Sequence, residues 1–428
     1  MKRVTVSLLL LLLACAGPAR AQLTIEVTGG IEGAQPLAVV PFGAADGAIP
    51  PLDPASVIAA DLARSGRFKP MPTRDMLATP HTGAEVDLRD WRLLGMQHLV
   101  VGNVHPVSGG FNIDYVLFDV FGGDQLLAAS MKTTGPGMRY TAHRIADAIY
   151  EKLTGQPGVF STRIAYVTDQ GNGGRVTLRV SDADGYGAQT VLSSNEPILS
   201  PAWSPDGQRL AYVSFENRRA AIYAQDLGSG RRELVASHPG INGSPAFSPD
   251  GRSLAMTLSK GGNPDIYILD LASRELHQVT DHLGIDTEPA WSPDGSTIVF
   301  TSNRGGSPQI YKVSAAGGAA ERVTFENDYN AAAAYSPDGR SLALVTRVNG
   351  QFRIGLLKLG AGGPMRIMSS GTLDESPSFA PNGSMIIYAT HYNGRGVLAA
   401  TSVDGRVSQR LSQDSGEVRE PAWSPMVH

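Results

Sequence analysis

Carboxylate and amide side chains that could bind a cation or a protein partner recur at a fixed interval along this sequence. Asn242, Asp286, Asn330 and Asp374 follow one another at intervals of 44 residues. With their neighbours they form a predicted binding set, the rim residues: Glu196, Ile241, Asn242, Asp286, Thr287, Glu288, Asn330, Asp374, Glu375, Arg419 and Glu420. Such oxygens can bind hard cations or accept hydrogen bonds from a docked protein. Since loops on rigid scaffolds commonly carry binding sites, we expect these residues to surround one concave surface.

The sequence lacks the common signatures of catalysis. No serine has glycine at both i−2 and i+2, and neither His-Glu-x-x-His nor Gly-x4-Gly-Lys occurs. The single cysteine, Cys15, lies in an N-terminal apolar run. We therefore expect a protein that is not an enzyme, without catalytic residues, cofactor or dedicated metal ligands.

A repeat of 44 residues must position the rim residues. Aromatic residues mark its phase at Trp203, Phe247, Trp291, Tyr335, Phe379 and Trp423. Each unit contains four short runs of β-branched, aromatic and other apolar residues, separated by Gly, Asn, Asp and Pro. A period in the forties with four strands per unit is typical of propeller blades around a central channel. The fold class is therefore mainly β, with a six-bladed β-propeller of four-stranded blades over residues 162–428.

The repeated motif Pro-Ala-Trp-Ser-Pro-Asp-Gly has a structural interpretation. Its aromatic ring is expected to pack between blades, and Ser-Pro-Asp-Gly to form a tight turn. The last copy, at Pro421–Pro425, has no blade of its own, and the unit that begins at Arg163 has no aromatic first strand. We expect the C-terminal strand to pair with that first unit, because closing the ring removes exposed sheet edges.

The mixture of strand-like and helical stretches in residues 34–158 predicts a small α/β domain with a mixed sheet. Helices are expected from Asp53-Pro54 to Arg64, from Leu88 to Met96, and from Met138 to Leu153 with Gly155 as the stop. Residues 22–33 form a separate N-terminal segment in which Leu23 to Val27 resembles a strand. The sequence leaves open whether this segment is an edge strand or a mobile tail.

Residues 1–21 are typical of an export signal. Lys2-Arg3 precedes an apolar run and a small-residue end at Ala19-Arg20-Ala21, which predicts cleavage after Ala21. Lipidation at Cys15 is the minority alternative. Removal of Lys2, Arg3 and Arg20 would leave 33 of the 36 basic residues against 40 acidic ones, a formal charge near −7. This balance disfavours nucleic acid and anionic membranes as partners.

Several stretches together resemble the TolB family of the Tol-Pal system. They are Pro36-Leu-Ala-Val-Val-Pro-Phe, Asp61-Leu-Ala-Arg-Ser-Gly-Arg-Phe, Ala142-His-Arg-Ile-Ala-Asp-Ala-Ile-Tyr-Glu-Lys-Leu-Thr-Gly and the Ser-Pro-Asp-Gly blades. The Ala-His-Arg-Ile-Ala-Asp segment just before the propeller is the most specific of them. The likeness covers nearly the whole mature chain, although family members often have His where Ile241 stands.

The resemblance implies a non-enzymatic adaptor in the Gram-negative periplasm, monomeric apart from the Tol-Pal complex. Its propeller face would bind the peptidoglycan-associated lipoprotein Pal through the rim residues. The N-terminal segment would bind the inner-membrane protein TolA through Gln22, Leu23, Thr24, Ile25, Glu26 and Val27. Outer-membrane integrity and invagination during cell division would depend on this coupling.

A six-bladed hydrolase of the lactonase type is the alternative interpretation. In such a protein, carboxylates and amides at the channel would hold a calcium ion. A structural calcium in the channel is compatible with either interpretation.

Overall fold

A computed structural model describes residues 23–29, 33–171, 173–413 and 416–426. The predicted export signal, its cleavage after Ala21, the lipidation alternative at Cys15 and the proposed contact residue Gln22 lie outside these residues. The described residues form an N-terminal α/β domain followed by a β-propeller.

The N-terminal domain contains a mixed sheet, as the sequence predicts. Strand β1 (Thr24–Gly29) precedes it, and its elements are β2 (Gln35–Val39), β3 (Gly43–Ala44), α1 (Pro54–Arg64), β4 (Phe68–Pro70), α2 (Leu88–Leu93), β5 (His98–Val107), β6 (Gly110–Asp119), β7 (Gln125–Thr133) and α3 (Met138–Thr154). The strand order is β4-β2-β5-β6-β7, with β3 beside β5. Pairs β2/β4 and β2/β5 are parallel, whereas β5/β6 and β6/β7 are antiparallel. Short 3₁₀ turns lie at Thr73–Asp75 and Gly83–Glu85.

The helix ends follow from local chemistry. Asp53 caps α1 by accepting a hydrogen bond from the Ala55 amide, and Pro54 fills the first helical position. Gly155 adopts a φ of 72° and ends α3 as predicted. Helix α2 is shorter than predicted and stops at Leu93, because Gly95 turns the chain into the left-handed region.

The propeller has six blades within the described residues, and each is an antiparallel four-stranded unit. The first is β8 (Arg163–Asp169), β9 (Val176–Asp182) and β10 (Gln189–Ser194). The second blade is β11 (Ile198–Trp203), β12 (Arg209–Ser214), β13 (Ala221–Asp226) and β14 (Arg232–Ala236). The third is β15 (Asn242–Phe247), β16 (Ser253–Leu258), β17 (Asp265–Asp270) and β18 (Leu276–Gln278), and the fourth is β19 (Asp286–Trp291), β20 (Thr297–Ser302), β21 (Gln309–Ser314) and β22 (Glu321–Arg322). The fifth is β23 (Asn330–Tyr335), β24 (Ser341–Val348), β25 (Gln351–Lys358) and β26 (Arg366–Ile367). The last is β27 (Glu375–Phe379), β28 (Met385–Tyr392), β29 (Arg395–Ser402) and β30 (Ser408–Ser412).

The C-terminal strand β31 (Glu417–Trp423) completes the first blade. It pairs antiparallel with β8, so that Val418 lies opposite Thr168 and Trp423 opposite Ile164. The closure predicted from the orphan motif is therefore confirmed. The strand begins four residues earlier than the motif suggested, because Glu417 and Val418 already pair with Asp169 and Thr168, and a bulge follows between Arg419 and Ala422.

The repeated aromatic residues pack between blades. Trp203 donates its indole N–H to the Ala422 carbonyl at 2.9 Å, and Trp291 donates to Ala246 at 3.0 Å, in each case on the preceding inner strand. Phe247 shares a core cluster with Val213 of the preceding blade. Burial of these rings supplies much of the packing between thin sheets.

Strand β1 belongs to the propeller and not to the α/β sheet. It pairs antiparallel with β30, with Ile25 opposite Leu411 and Val27 opposite Gln409. The last blade is consequently five-stranded, in the order β1-β30-β29-β28-β27. Of the two alternatives for the N-terminal segment, residues 24–29 adopt the edge strand.

Candidate functional site: the channel mouth

A backbone bulge at the same phase in each blade shapes the central channel. The register shifts within every inner strand, as between Thr287 and Ala290 or between Arg419 and Ala422. One residue of each bulge adopts a positive φ near 50°: Ser200, Ser244, Glu288, Ala332, Ser376 and Glu420. Proline follows it in five of these strands and alanine in the sixth. Proline has no backbone N–H to donate to a neighbouring strand. The motif Pro-Ala-Trp therefore marks an interruption in the hydrogen bonding between strands, in addition to the ring that packs between blades.

The bulges point polar groups into a channel of about 750 Å³. The Glu288 carboxylate accepts hydrogen bonds from the Ala332 amide at 2.9 Å and the Thr301 hydroxyl at 2.7 Å. The Glu420 carboxylate accepts one from the Ser200 amide at 3.0 Å. In both cases the carboxylate holds the equivalent bulge of the next blade.

Glu420 lies in an unfavourable electrostatic environment. Burial raises the pKa of its carboxyl above the usual range, and the nearby carboxylates of Glu375 and Glu288 raise it further. The Ser200 amide and Arg419 oppose this shift in pKa by stabilising the charged form. The channel therefore concentrates negative charge.

Four rim residues are buried and support the loops that lead into the inner strands. The Asn242 side chain exchanges hydrogen bonds with the backbone of His238 at 2.8 and 2.7 Å. Asn330 donates to the Gln309 side chain and the Glu326 carbonyl. Asp286 forms an ion pair with Arg304 at 2.7 Å, and Asp374 accepts bonds from Ser369, Gly371 and Thr390. These side chains shape the channel mouth but do not reach its surface.

The remaining rim residues lie nearer to solvent. Glu375 and Ile241 are exposed, whereas Glu196, Thr287, Glu288, Arg419 and Glu420 are half-buried. Arg419 forms an ion pair with Asp169 at 2.9 Å across the closure of the first blade. Of the whole set, Glu288, Glu375 and Glu420 reach the channel, and the buried Asp374 lies directly behind its wall.

An apolar arc over four consecutive blades borders the channel mouth, and sequence reasoning largely missed it. Residues 241, 285, 329 and 373 also follow the 44-residue interval, each immediately before a buried Asn or Asp. We call Ile241, Leu283, Ile285, Tyr329 and Leu373 the docking face. Ile285 is 49% exposed and Leu283 98% exposed, and Ile241 and Leu373 are also exposed. The 44-residue interval contains this signal, but of the docking face only Ile241 is among the predicted rim residues.

The channel geometry gives little support to a metal-dependent hydrolase. The carboxylates of Glu288 and Glu420 are engaged by backbone or hydroxyl donors of the neighbouring blade. Among the described residues, one group of three His, Cys, Asp or Glu side chains has ligand atoms within 4.8 Å of one another. It consists of Asp61, His143 and Asp184, at the junction of the domains and away from the channel.

Comparisons with known proteins agree with this architecture. Residues 23–126 match the family model of the TolB amino-terminal domain, and residues 150–427 match that of the TolB beta propeller domain. The Tol-Pal system protein TolB of Nitrosococcus oceani is 50% identical over 226 residues, which are 52% of each chain. That of Xanthomonas campestris pv. campestris is 51% identical over the same length. These alignments span about half the length of the curated relatives.

A solved structure matches over a larger part of the molecule. The crystal structure of TolB from Acinetobacter baumannii superposes with a TM-score of 0.88 at 42% sequence identity, covering 95% of this chain and 100% of that one. The match thus extends over both domains. The chain belongs to the TolB family of the Tol-Pal system.

Proposed function

We propose that this protein is a non-enzymatic periplasmic adaptor that binds Pal through the docking face and TolA through strand β1. Outer-membrane integrity and invagination at cell division would depend on this link. The observation that carries the proposal is the arc of exposed apolar side chains beside the channel mouth of a TolB-family propeller.

The docking face has the properties expected of a protein interface. Ile241, Leu283, Ile285 and Leu373 expose large apolar surfaces to water on one side of a rigid ring. Monomeric proteins seldom expose clustered apolar groups without a partner. Half-buried polar residues such as Thr287 and Glu288 lie beside them, which matches the apolar core and polar rim of known interfaces. Buried rim residues such as Asn242 would act indirectly, by fixing the loops.

The direct test is charge substitution on the docking face. Ile285→Arg should weaken binding of purified Pal by roughly 30-fold or more, the scale of a central interface residue. The measurement is isothermal titration calorimetry, with circular dichroism to verify the fold. Leu93→Arg is the matched control, because Leu93 is exposed on α2 of the N-terminal domain. Wild-type affinity in Ile285→Arg would contradict the assignment of this face.

Substitution of Glu288 would give a less clear result. Its carboxylate holds the Ala332 amide of the next blade, and its own backbone has a φ of 56°. Glu288→Arg should therefore abolish Pal capture, but part of the loss would come from a disturbed bulge. Ile285→Arg changes an exposed side chain of the docking face without altering a bulge residue, so a loss of binding in this variant reports on the contact itself.

Strand β1 is the proposed TolA site. It occupies the edge of the last blade, and Thr24, Glu26 and Val27 are exposed. An edge strand offers unpaired backbone groups that a partner sheet can extend. Leu23 is buried and Ile25 half-buried, so these two would anchor the strand or contact TolA only after it detaches.

Deletion of residues 22–33 tests this second site. TolA capture should be lost, whereas Pal affinity should stay within about twofold of the wild type, because the docking face lies at the channel mouth. Loss of both activities, or of neither, would contradict the two-site proposal. The Ile285→Arg variant provides the reciprocal control, since it should retain TolA.

We also propose export to the periplasm with cleavage after Ala21, and a monomeric state outside the Tol-Pal complex. Within the described ranges, no helix combines the length and apolar character needed to cross a membrane. N-terminal sequencing of the mature protein should begin at Gln22. A lipid-modified Cys15 at the N-terminus would contradict this processing.

A further inference from the structure

A buried cluster of charges lies where the N-terminal domain meets the propeller. His143 on α3 and Asp61 on α1 are each 1% exposed. The imidazole Nδ1 lies 2.6 Å from Asp61 Oδ2. Its other nitrogen, Nε2, is buried and has no hydrogen-bond partner within the described residues. A buried polar atom of this kind requires an explanation.

The turn between β9 and β10 supplies the groups that face Nε2. The carboxylate oxygens of Asp182 and Asp184 lie 3.8 and 3.9 Å from it, within ion-pair distance but beyond a hydrogen bond. Since α1 and α3 belong to the N-terminal domain and the turn belongs to the first blade, the imidazole bridges the two domains. Each of its nitrogens faces carboxylate.

Two arginines complete the cluster. Arg64 on α1 pairs with Asp61 at 2.8 Å and donates to the Ala183 carbonyl of the turn at 3.0 Å. Arg139 on α3 pairs with Asp184 and lies 3.5 Å from Asp182. Three carboxylates and two guanidinium groups leave one negative charge. A protonated His143 would make the cluster neutral, and buried charge is tolerated when it is paired.

The other ionisable groups near the cluster are engaged elsewhere. Asp147, one turn further along α3, accepts hydrogen bonds from the amides of Phe160 and Ser161 in the linker. Burial raises the pKa of its carboxyl above the usual range. Arg163 at the start of β8 donates to the Gly207 carbonyl. Arg163 also interacts electrostatically with Asp182, and Asp147 with Asp61. Since these two groups carry opposite charges, they offset one another and leave the cluster one positive charge short.

We propose that His143 is held doubly protonated in the folded protein and thereby latches the N-terminal domain onto the first propeller blade. Nδ1–H donates to Asp61, while Nε2–H is directed at Asp182 and Asp184. A divalent metal ion beside Nε2 is disfavoured, because the Arg139 guanidinium group pairs with Asp184 and lies 3.5 Å from Asp182, so that a fixed positive charge already faces these carboxylates.

The electrostatic surroundings support the charged imidazole. Burial lowers the pKa of His143, but the carboxylates of Asp182, Asp61 and Asp184 overcome it and raise the pKa from 6.5 to about 9. A histidine whose pKa is raised by folding stabilises the folded state fully below its unfolded pKa. That contribution should be lost as the pH rises from about 6.5 to about 9.

The latch also reaches the N-terminal segment. A Cβ on Gly185, in the same turn, would lie 2.5 Å from the Leu23 Cβ, so Leu23 packs directly on the turn. Arg139 lies over the ring of Tyr186 at 4.0 Å. The turn from Ala183 to Tyr186 is thus the place where the N-terminal domain, the propeller and Leu23, the residue that leads into β1, meet. This assigns a role to the histidine of the Ala-His-Arg-Ile-Ala-Asp motif.

Imidazole ¹⁵N chemical shifts in the full-length protein test the proposal directly. His143 should show both nitrogens protonated at pH 7.5, with a titration midpoint near pH 9. His98 and His238 are internal references, because burial lowers their pKa values. A neutral His143 tautomer at pH 7.5 would overturn the latch, as would a change in its shifts on addition of equimolar zinc.

The variant His143→Gln provides the functional readout. It retains hydrogen bonding but not charge, so its Tm should fall below the wild-type value at pH 6.5, and the difference should shrink by pH 10. His98→Gln is the control and should show no such pH dependence. A Tm difference that is constant with pH would overturn the proposal. If His143→Gln does not fold, Asp184→Asn should lower the His143 titration midpoint, and an unchanged midpoint would contradict the latch.

Discussion

The two ends of the described chain each add a strand to the propeller, at opposite positions in adjacent blades. Strand β31 is the innermost strand of the first blade, and β1 is the outermost strand of the last. Val418 on β31 is 1% exposed, whereas Val27 on β1 is 44% exposed. Leu23 and Val418 nevertheless belong to the same core cluster.

The difference shows how position in a sheet determines what a strand can do. An inner strand packs against its own blade and both neighbouring blades, so its removal opens the ring. An outer strand has one paired edge and one unpaired edge, which a partner can approach without disturbing the core. We therefore assign closure to β31 and partner binding to β1.

The largest effect should come from charging the inner strand. Val418→Asp should lower the free energy of unfolding by about 3–5 kcal/mol, because it buries an unpaired carboxylate. The same change on the outer strand, Val27→Asp, should cost less than about 0.5 kcal/mol. Urea unfolding monitored by circular dichroism measures both. Equal losses in the two variants would refute the contrast between the strands.

An intermediate effect should come from the turn that receives Leu23. Gly185 has a φ of 82°, and a Cβ there would lie 2.7 Å from the Leu23 carbonyl oxygen. Gly185→Ala should cost about 1–2 kcal/mol for the backbone conformation and should also displace Leu23. Hydrogen exchange of the β1 amides should then accelerate while the blade cores remain protected.

Gly187→Ala is the matched control for this variant. Gly187 also has a positive φ, of 66°, but no atom lies within 4 Å of a Cβ built on it. The backbone cost should therefore be similar, without faster exchange in β1. Equal exchange in both variants would mean that Leu23 does not anchor the strand.

The smallest effect should come from neutralising a carboxylate on β31. Burial and two neighbouring carboxylates raise the pKa of Glu420, so its ionised form opposes folding at neutral pH. Glu420→Gln should raise the Tm at pH 7, with a gain of less than about 1 kcal/mol in the free energy of unfolding, and this gain should vanish below the usual pKa of a glutamate. Glu26→Gln on β1 is the control, and it should give no gain, since Glu26 pairs with Arg410. A lower Tm for Glu420→Gln at pH 7 would show that its charge stabilises the channel.

Much of the fold could be read from the sequence because the repeat is local. The 44-residue interval identified the blades and the closing strand, and residues such as Asp53 and Gly155 marked the ends of helices. Strand pairing within a blade joins residues close in sequence, so composition and turn chemistry suffice to predict it. The prediction failed in detail at α2, where the chain turns at Gly95.

The candidate site was less predictable, because a repeated position does not reveal which way a side chain points. Asn242 and Asp374 were predicted at the rim together with Ile241. The structure places their side chains beneath the loops, and Ile241 on the surface. Ile241 and Asp374 precede strands β15 and β27, and Asn242 begins β15, so the alternation of faces within a strand does not fix their orientation. The hydrogen bonds that Asn242 and Asp374 make within their loops do so instead.

The sequence by itself determined the six blades, their closure by the C-terminal strand and the α/β domain, since each rests on local patterns that recur. The tertiary structure alone decided that β1 joins β30, almost four hundred residues away along the chain, and that His143 lies between carboxylates of two domains. Such contacts form only when separately folded units meet, and the matching groups on each unit carry no local periodicity. Their energies depend on burial and charge at the junction, which the assembled molecule creates.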